Sequence, residues 1–252
     1  MKENSLFYCD KITKNYETRP VVEDISLSLP EGGFISILGP SGIGKTTLFN
    51  VLAGLDTADS GSVFLYGRNI SGIAGKVGYM MQKDLLFEHR TVLDNVILPL
   101  LIHGEKKIKA RQYAESFFPQ FGLSGYEKKH PAQLSGGMKQ RAALLRTCMT
   151  DNKVILLDEP FSALDAITRR QMQEWYSEIA IKTGLSTLLI THDADEALML
   201  SDTIYILNGK PGRITSIIEI HSKRPRDSEF SVSKEFAEKK MVILEAISKT
   251  EM

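Results

Sequence analysis

Apolar and polar positions change their spacing several times along the chain, and each change marks an element. Within residues 5–33, Ile25, Leu27 and Leu29 alternate with Ser26 and Ser28. That is the period of a strand with one buried and one wet face, and it predicts antiparallel strands over this stretch. Glu31-Gly32-Gly33 then turns the chain into the short apolar run Phe34–Leu38. Asp59-Ser60-Gly61 and Gly67-Arg68-Asn69 bracket a predicted strand at Val63–Tyr66, and Val77–Met81 reads as another. From Thr91 to about Gly122 the period becomes helical, with Thr91 placed as an N-cap and Asp94 three residues on. This helix-rich block interrupts the strands and predicts a second lobe. Val154–Leu157 and Ser186–Thr191 are short and apolar, as parallel strands covered on both faces are. Between them, Asp165 is predicted to cap a helix that runs to about Lys182 and stops at Gly184. Asn208–Gly212 is a hairpin signal between Thr203–Leu207 and Ile214–Ile220. Phe236, Ile243, Ala246 and Ile247 share one helical face, which predicts a docked helix over 234–249.

The stretch Gly39-Pro40-Ser41-Gly42-Ile43-Gly44-Lys45-Thr46-Thr47 sits between the apolar run 34–38 and a predicted helix, Thr46–Leu52. Its glycines allow a tight turn whose N–H groups point inward, a nest for phosphate oxygens closed by the positive end of the helix. Lys45 is spaced to reach the β- and γ-phosphates, and the Thr46 hydroxyl to hold Mg²⁺. The apolar run Val154–Leu157 ends in Asp158-Glu159. Beside a phosphate loop, Asp158 is placed to bind the metal and Glu159 to orient or deprotonate the attacking water. Leu134-Ser135-Gly136-Gly137 opens another helix, with Ser135 as its cap, and makes a second anion site.

Taken in order, Gly39–Thr46, Gln82, Leu134–Gln140, Val154–Glu159, Ser162–Asp165 and His192 resemble the motifs of the ATP-binding cassette ATPases over about residues 5–220. The resemblance implies an α/β fold: a P-loop NTPase core with a mixed, mainly parallel sheet, an antiparallel β subdomain and an inserted helical subdomain. It implies an ATPase domain over 5–233, with the helical subdomain at about 83–150, and a helical tail over 234–252. ATP and Mg²⁺ are the implied cofactors. Gly39 to Thr47 would bind the nucleotide, as would Ser135, Gly136, Gly137 and Gln140. Tyr16 is similar to the aromatic residue that stacks on adenine, a role any flat π face can fill. Gln82 is similar to the residue that contacts Mg²⁺ and water, and His192 to the one that touches the γ-phosphate. Thr46, Gln82 and Asp158 would serve the metal, and Glu159, His192 and Gln82 the reaction. Ser162–Asp165 resembles the loop that crosses between subunits. In this family the Ser135–Gly137 edge of one subunit closes over ATP on the loop of another. The implied assembly is a head-to-tail pair with two ATP at its seam.

Gln82–Leu86, Arg90–Val96, Lys210–Ile214 and Arg224–Asp227 resemble the nitrate, sulfonate and taurine importer ATPases, a group that includes ATPases for thiamine-precursor pyrimidines. Glu88-His89 replaces that group's usual Pro-Trp. The implied partners are an integral-membrane permease, docked around Lys83–Val96 and its Leu85, Leu86 and Phe87, and indirectly a solute-binding protein. An exporter ATPase or a soluble non-transport cassette protein is the alternative. A soluble one would carry long coiled coils, and sustained heptads are absent from the sequence.

Composition narrows this further. At 252 residues and 42% hydrophobic, the chain suits one large domain or two joined lobes. Its formal net charge of zero provides no global field toward nucleic acid, so no such partner is expected. Cys9 and Cys148 have no metal-ligand spacing and are expected as small buried thiols of a reducing compartment. His89, His103, His130 and His221 match no motif and are expected to be structural. Met1–Ser5 lacks the apolar segment of a signal peptide, and no apolar run nears the ~20 residues of a membrane span. The longest, Val96–Ile102, contains Pro99. The expectation is a cytoplasmic protein, peripheral on the inner face of the cell membrane through its partner.

Overall fold

The computed structural model describes residues 5–17 and 19–248, so 249–252 of the expected tail lie outside the described residues. The chain opens with β1 (Ser5–Tyr16) and β2 (Arg19–Pro30), crosses to β3 (Phe34–Leu38) and turns into α1 (Lys45–Leu52). β4 (Ser60–Leu65), β5 (Arg68–Asn69) and β6 (Gly78–Met80) precede four helices: α2 (Val92–Val96), α3 (Leu98–Ile102), α4 (Lys107–Glu115) and α5 (Gly136–Cys148). The second half alternates β7 (Val154–Asp158), α6 (Ala166–Thr183), β8 (Ser186–Thr191), α7 (Ala194–Leu200), β9 (Thr203–Asn208) and β10 (Arg213–Glu219). It ends in α8 (Ser228–Ser231) and α9 (Lys234–Ser248).

Two sheets result. One is antiparallel in the order β2-β1-β4-β5; the other runs β10-β9-β3-β8-β7-β6, parallel except for the β10 edge. Every residue of β3, β7 and β8 is buried, as apolar parallel strands covered on both faces must be. β3, β8 and β7 are adjacent and parallel, so their carboxyl ends share one edge. There the phosphate loop, His192 and Asp158-Glu159 meet, at the edge where open α/β sheets bind ligands. Helix α1 is too short to be stable alone; it is held by burying Leu48, Phe49, Val51 and Leu52, each worth roughly 1.5–3 kcal/mol.

The helix-rich block after Thr91 is made of several short helices. Thr91 caps α2 by accepting from the Asp94 N–H at 3.1 Å. Pro99, which lacks an N–H, falls in the first turn of α3. Gly104, at φ 91°, follows the end of that helix. Gly67-Arg68-Asn69 does more than end a strand, because Arg68 and Asn69 form the two-residue β5. Leu86, expected on an exposed docking surface with Leu85 and Phe87, is buried in the core under the helical block. Only its two neighbours are exposed. Helix α9 docks through Phe236 and Ile243, with Ala246 and Ile247 packed beside them. The Asn208 amide donates to the carbonyls of Ala246 and Ile247 at 3.2 and 3.1 Å, satisfying acceptors that a helix end leaves open. Cys9 is buried and Cys148 half-buried; both thiols are pushed up to about 12 by burial. Among the described residues no helix is long and apolar enough to cross a membrane.

Candidate active site

The loop between β3 and α1 is shaped by close approaches at two of its glycines. Gly44 has φ 102°, and a Cβ there would lie 2.8 Å from Val21 and Val22 side-chain carbons. A Cβ at Gly39 would be 2.2 Å from the Leu207 carbonyl oxygen. Gly42, at φ 77°, faces open space. The Lys45 ammonium bridges the loop, donating to the carbonyls of Gly39 and Pro40 at 2.7 and 2.8 Å. Burial lowers its pKa below the ordinary amine value, while the charges of Glu159 and Asp158 oppose that shift.

Across the loop, Thr46 Oγ1 donates to Asp158 Oδ2 at 2.8 Å. Burial raises the Asp158 carboxyl above the usual carboxylate range, opposed by the Thr46 bond; the Glu159 charge raises it further and Lys45 lowers it. Glu159 adopts φ 50°, a left-handed conformation that costs an L residue about 1–3 kcal/mol and persists where the surroundings impose it. Its N–H donates to the Ile190 carbonyl at 3.0 Å. Its carboxylate lies 3.2 Å from His192 Nδ1 and accepts from Gln82 Nε2 at 3.2 Å. Two side chains from two other segments thus meet at one acid.

Tyr16, Val21, Ser41, Gly42, Gly44, Lys45, Thr46, Thr47, Gln82, Asp158 and Glu159 line a single cleft of about 390 Å³. Tyr16 is 48% exposed, its hydroxyl donating to Asp56 at 3.1 Å. Lys14 pairs with the same carboxylate at 2.8 Å and lies 5.3 Å from the Tyr16 ring centroid. The Lys14 bond holds the Asp56 carboxyl below the usual range. Lys14, Val21 and Asp56 were not legible as site residues. Lys14 and Asp56 are ordinary charges far apart in sequence, and only the antiparallel sheet joins them. Pro40 and Ile43 face a different cavity, toward α9.

The segment Ser135–Gly137 and Gln140 lie outside this cleft. Ser135 accepts from the Met138 N–H at 3.3 Å and caps α5. Nothing lies within 4 Å of where a Cβ on Gly136 would be. Gly136 and Gln140 line a second cavity of about 410 Å³, with Lys83, Asp84, Leu85, Ser162 and Ala163; Gln82 borders both. The Gln140 side chain is buried and spent on its own chain's 159–163 turn. Arg146, which no motif flagged, donates from α5 to the carbonyls of Leu85 and Asp84 at 2.8 and 2.6 Å, fixing the segment after Gln82.

The donor set beside the loop consists of hard oxygens, the Thr46 hydroxyl and the Asp158 carboxylate, with Gln82 lining the same cleft. No cluster of three or more His, Cys, Asp or Glu suited to a metal occurs among the described residues. Few protein ligands beside a phosphate nest fit Mg²⁺, which keeps water and takes substrate phosphates as ligands. A glycine nest, a lysine, an acidic strand end and a glutamate held by two side chains define a P-loop nucleotide hydrolase.

The model of the ABC transporter family matches residues 22–162. The formylaminopyrimidine import ATP-binding protein ThiZ of Halalkalibacterium halodurans is 44% identical over 192 residues, 76% of this chain and 75% of that protein. The taurine import ATP-binding protein TauB of Escherichia coli O157:H7 is 40% identical over 210 residues, 83% of this chain and 82% of its own. A dimeric structure of the ATP-binding cassette MJ0796, in a post-hydrolysis state bound to ADP and Pi, superposes with TM-score 0.79 at 26% identity. It covers 86% of this chain and 100% of that one. The chain belongs to the ABC transporter family and is its ATP-binding, ATP-hydrolysing cassette.

Proposed function

We propose that this chain is the ATPase subunit of an importer. It would work as a head-to-tail pair on the inner face of the cell membrane, against a separate permease fed by a solute-binding protein. The observation that carries the pairing is the position of Ser135–Gly137 outside the residues that line the chain's own nucleotide cleft. A glycine-rich helix start outside its own subunit's phosphate cleft is, in this reading, completed by another subunit. The dimeric cassette supports the pairing, and the taurine and formylaminopyrimidine relatives support import. The cargo is a small solute: sulfonate-, nitrate- or taurine-like, or a pyrimidine precursor of thiamine. Residues 5–233 form the ATPase domain, with a helical subdomain at about 83–150, and 234–252 the tail.

In this reading the Gly39–Thr47 nest and Lys45 hold the phosphates and Tyr16 stacks on adenine. Bound Mg²⁺, held by Thr46, Asp158 and Gln82, would neutralise charge on the phosphate oxygens. Glu159 takes the proton of the attacking water, and Gln82 and His192 aim its carboxylate. ATP favours the closed pair, and loss of the γ-phosphate reopens it. Deleting the gene and testing growth on each candidate solute as limiting source checks the cargo: failure on one is expected, and normal growth on all rejects the list.

A further inference from the structure

The family resemblance assigns Gln140 to nucleotide binding, but its side chain is wholly used elsewhere. Nε2 donates to the Glu159 carbonyl at 2.9 Å and to Ser162 Oγ at 3.2 Å. Oε1 accepts from the Ala163 N–H at 2.9 Å. The residue is 6% exposed, and all these partners belong to the turn that carries Glu159. That turn holds Glu159 at φ 50°, a conformation that persists only under constraint. β8 constrains it on one side, through the Ile190 carbonyl, and Gln140 on the other. The same turn packs against the start of α5: a Cβ on Gly137 would lie 3.1 Å from Leu164 Cδ2 and 3.3 Å from the Ala163 carbonyl oxygen. Ser135–Gly137, Gln140 and residues 159–164 therefore form one interlocked body.

We propose that Gln140 is a positioning residue for Glu159 of its own subunit. It couples the Ser135–Gly137 turn, which meets one nucleotide, to the Glu159 carboxylate that serves the other. The inference rests on the head-to-tail reading with Glu159 as base. Closure on one ATP then sets the backbone from which the second ATP's base projects.

The test separates action within a subunit from action across the seam. Gln140→Leu should lower kcat by up to about 10²-fold, the scale of a 1 Å misplacement, with ATP affinity unchanged. Two mixtures then locate the defect. Gln140→Leu chains mixed with Glu159→Gln chains should regain no hydrolysis, because the only intact Glu159 sits beside the substituted Gln140. If Gln140 instead touches the partner's nucleotide, that mixed pair holds one intact site and activity returns, which overturns the proposal. Chains carrying both substitutions, mixed with wild type, should keep the activity of the wild-type Glu159; its loss also overturns the proposal. So does a Gln140→Leu protein of wild-type kcat. If Gln140→Leu does not fold, Gln140→Glu keeps its shape and the acceptor for Ala163 and is read the same way. A Glu159→Gln protein that hydrolyses normally, or a wild-type protein that never pairs with ATP, instead removes the underlying reading, before Gln140 is tested.

Discussion

Helices α1 and α5 both begin on glycine-rich turns, and the two turns are built for opposite circumstances. The α1 start is enclosed. Its N-cap, Gly44, has no side-chain cap and is pressed against Val21 and Val22, and Lys45 ties the loop to itself. The α5 start is open: Ser135 caps it locally and Gly136 faces empty space. An enclosed anion nest with adjacent acids is the half of the proposed site that holds the phosphates. In the proposed pair the open one is the other half, and it meets a nucleotide carried by the partner copy. In the proposed head-to-tail pair, one chain therefore holds two halves that serve different nucleotides.

The largest expected effect breaks the chemistry and leaves both halves in place. Glu159→Gln preserves size and shape, and loss of a positioned base should slow phosphate release about 10²–10⁴-fold. ATP should still bind, and the pair should accumulate on gel filtration. Lys45→Ala acts on the enclosed half. Removing a charged hydrogen-bond donor costs about 1.5–3 kcal/mol, so ATP affinity measured by titration should fall about tenfold or more and the protein should stay monomeric. Paired glycine substitutions sharpen the contrast. Gly44→Ala places a side chain at φ 102° against two valines, so thermal and denaturant unfolding should show a loss of about 1–3 kcal/mol. Gly136→Ala meets nothing within 4 Å and should leave stability and single-chain ATP binding intact.

Leu85→Asp with Phe87→Asp should abolish co-purification with the permease while sparing ATP binding. Both residues are exposed, and the buried Leu86 is left alone. Survival of the complex would put the dock elsewhere. The smallest effect lies at the cleft mouth. The folded Asp56 carboxyl is held below its ordinary 3.8 by Lys14, so its contribution is present above that value and is lost as pH falls through the lower folded value. Asp56→Asn should therefore melt below wild type at neutral pH, and the gap in Tm should close on acidification.

The parts that local chemistry determines were legible. The alternation at Ile25–Leu29, the apolar runs behind Asp158 and His192, and the caps Thr91, Ser135 and Asp165 all act within a few residues. So does the phosphate loop. What escaped depends on chain segments far apart in sequence. Nothing near Leu86 shows that the helical block will cover it, and nothing near Gln140 shows that the 159–163 turn will absorb its amide. The pairing of Lys14 with Asp56, the Arg146 contacts to Asp84 and Leu85, and the Asn208 cap on α9 are likewise made only after the sheets assemble.

The claim that the two halves complete each other between copies is tested most directly by complementation. Lys45→Ala disables the enclosed half and leaves Ser135 intact; Ser135→Arg blocks the open half and leaves the loop intact. Each protein alone should hydrolyse ATP only at a residual rate. Mixed, the loop of the Ser135→Arg chain faces the intact turn of the Lys45→Ala chain, and phosphate release should reappear with a maximum near equal proportions. Absence of recovery at every ratio, with both proteins folded, would contradict the account.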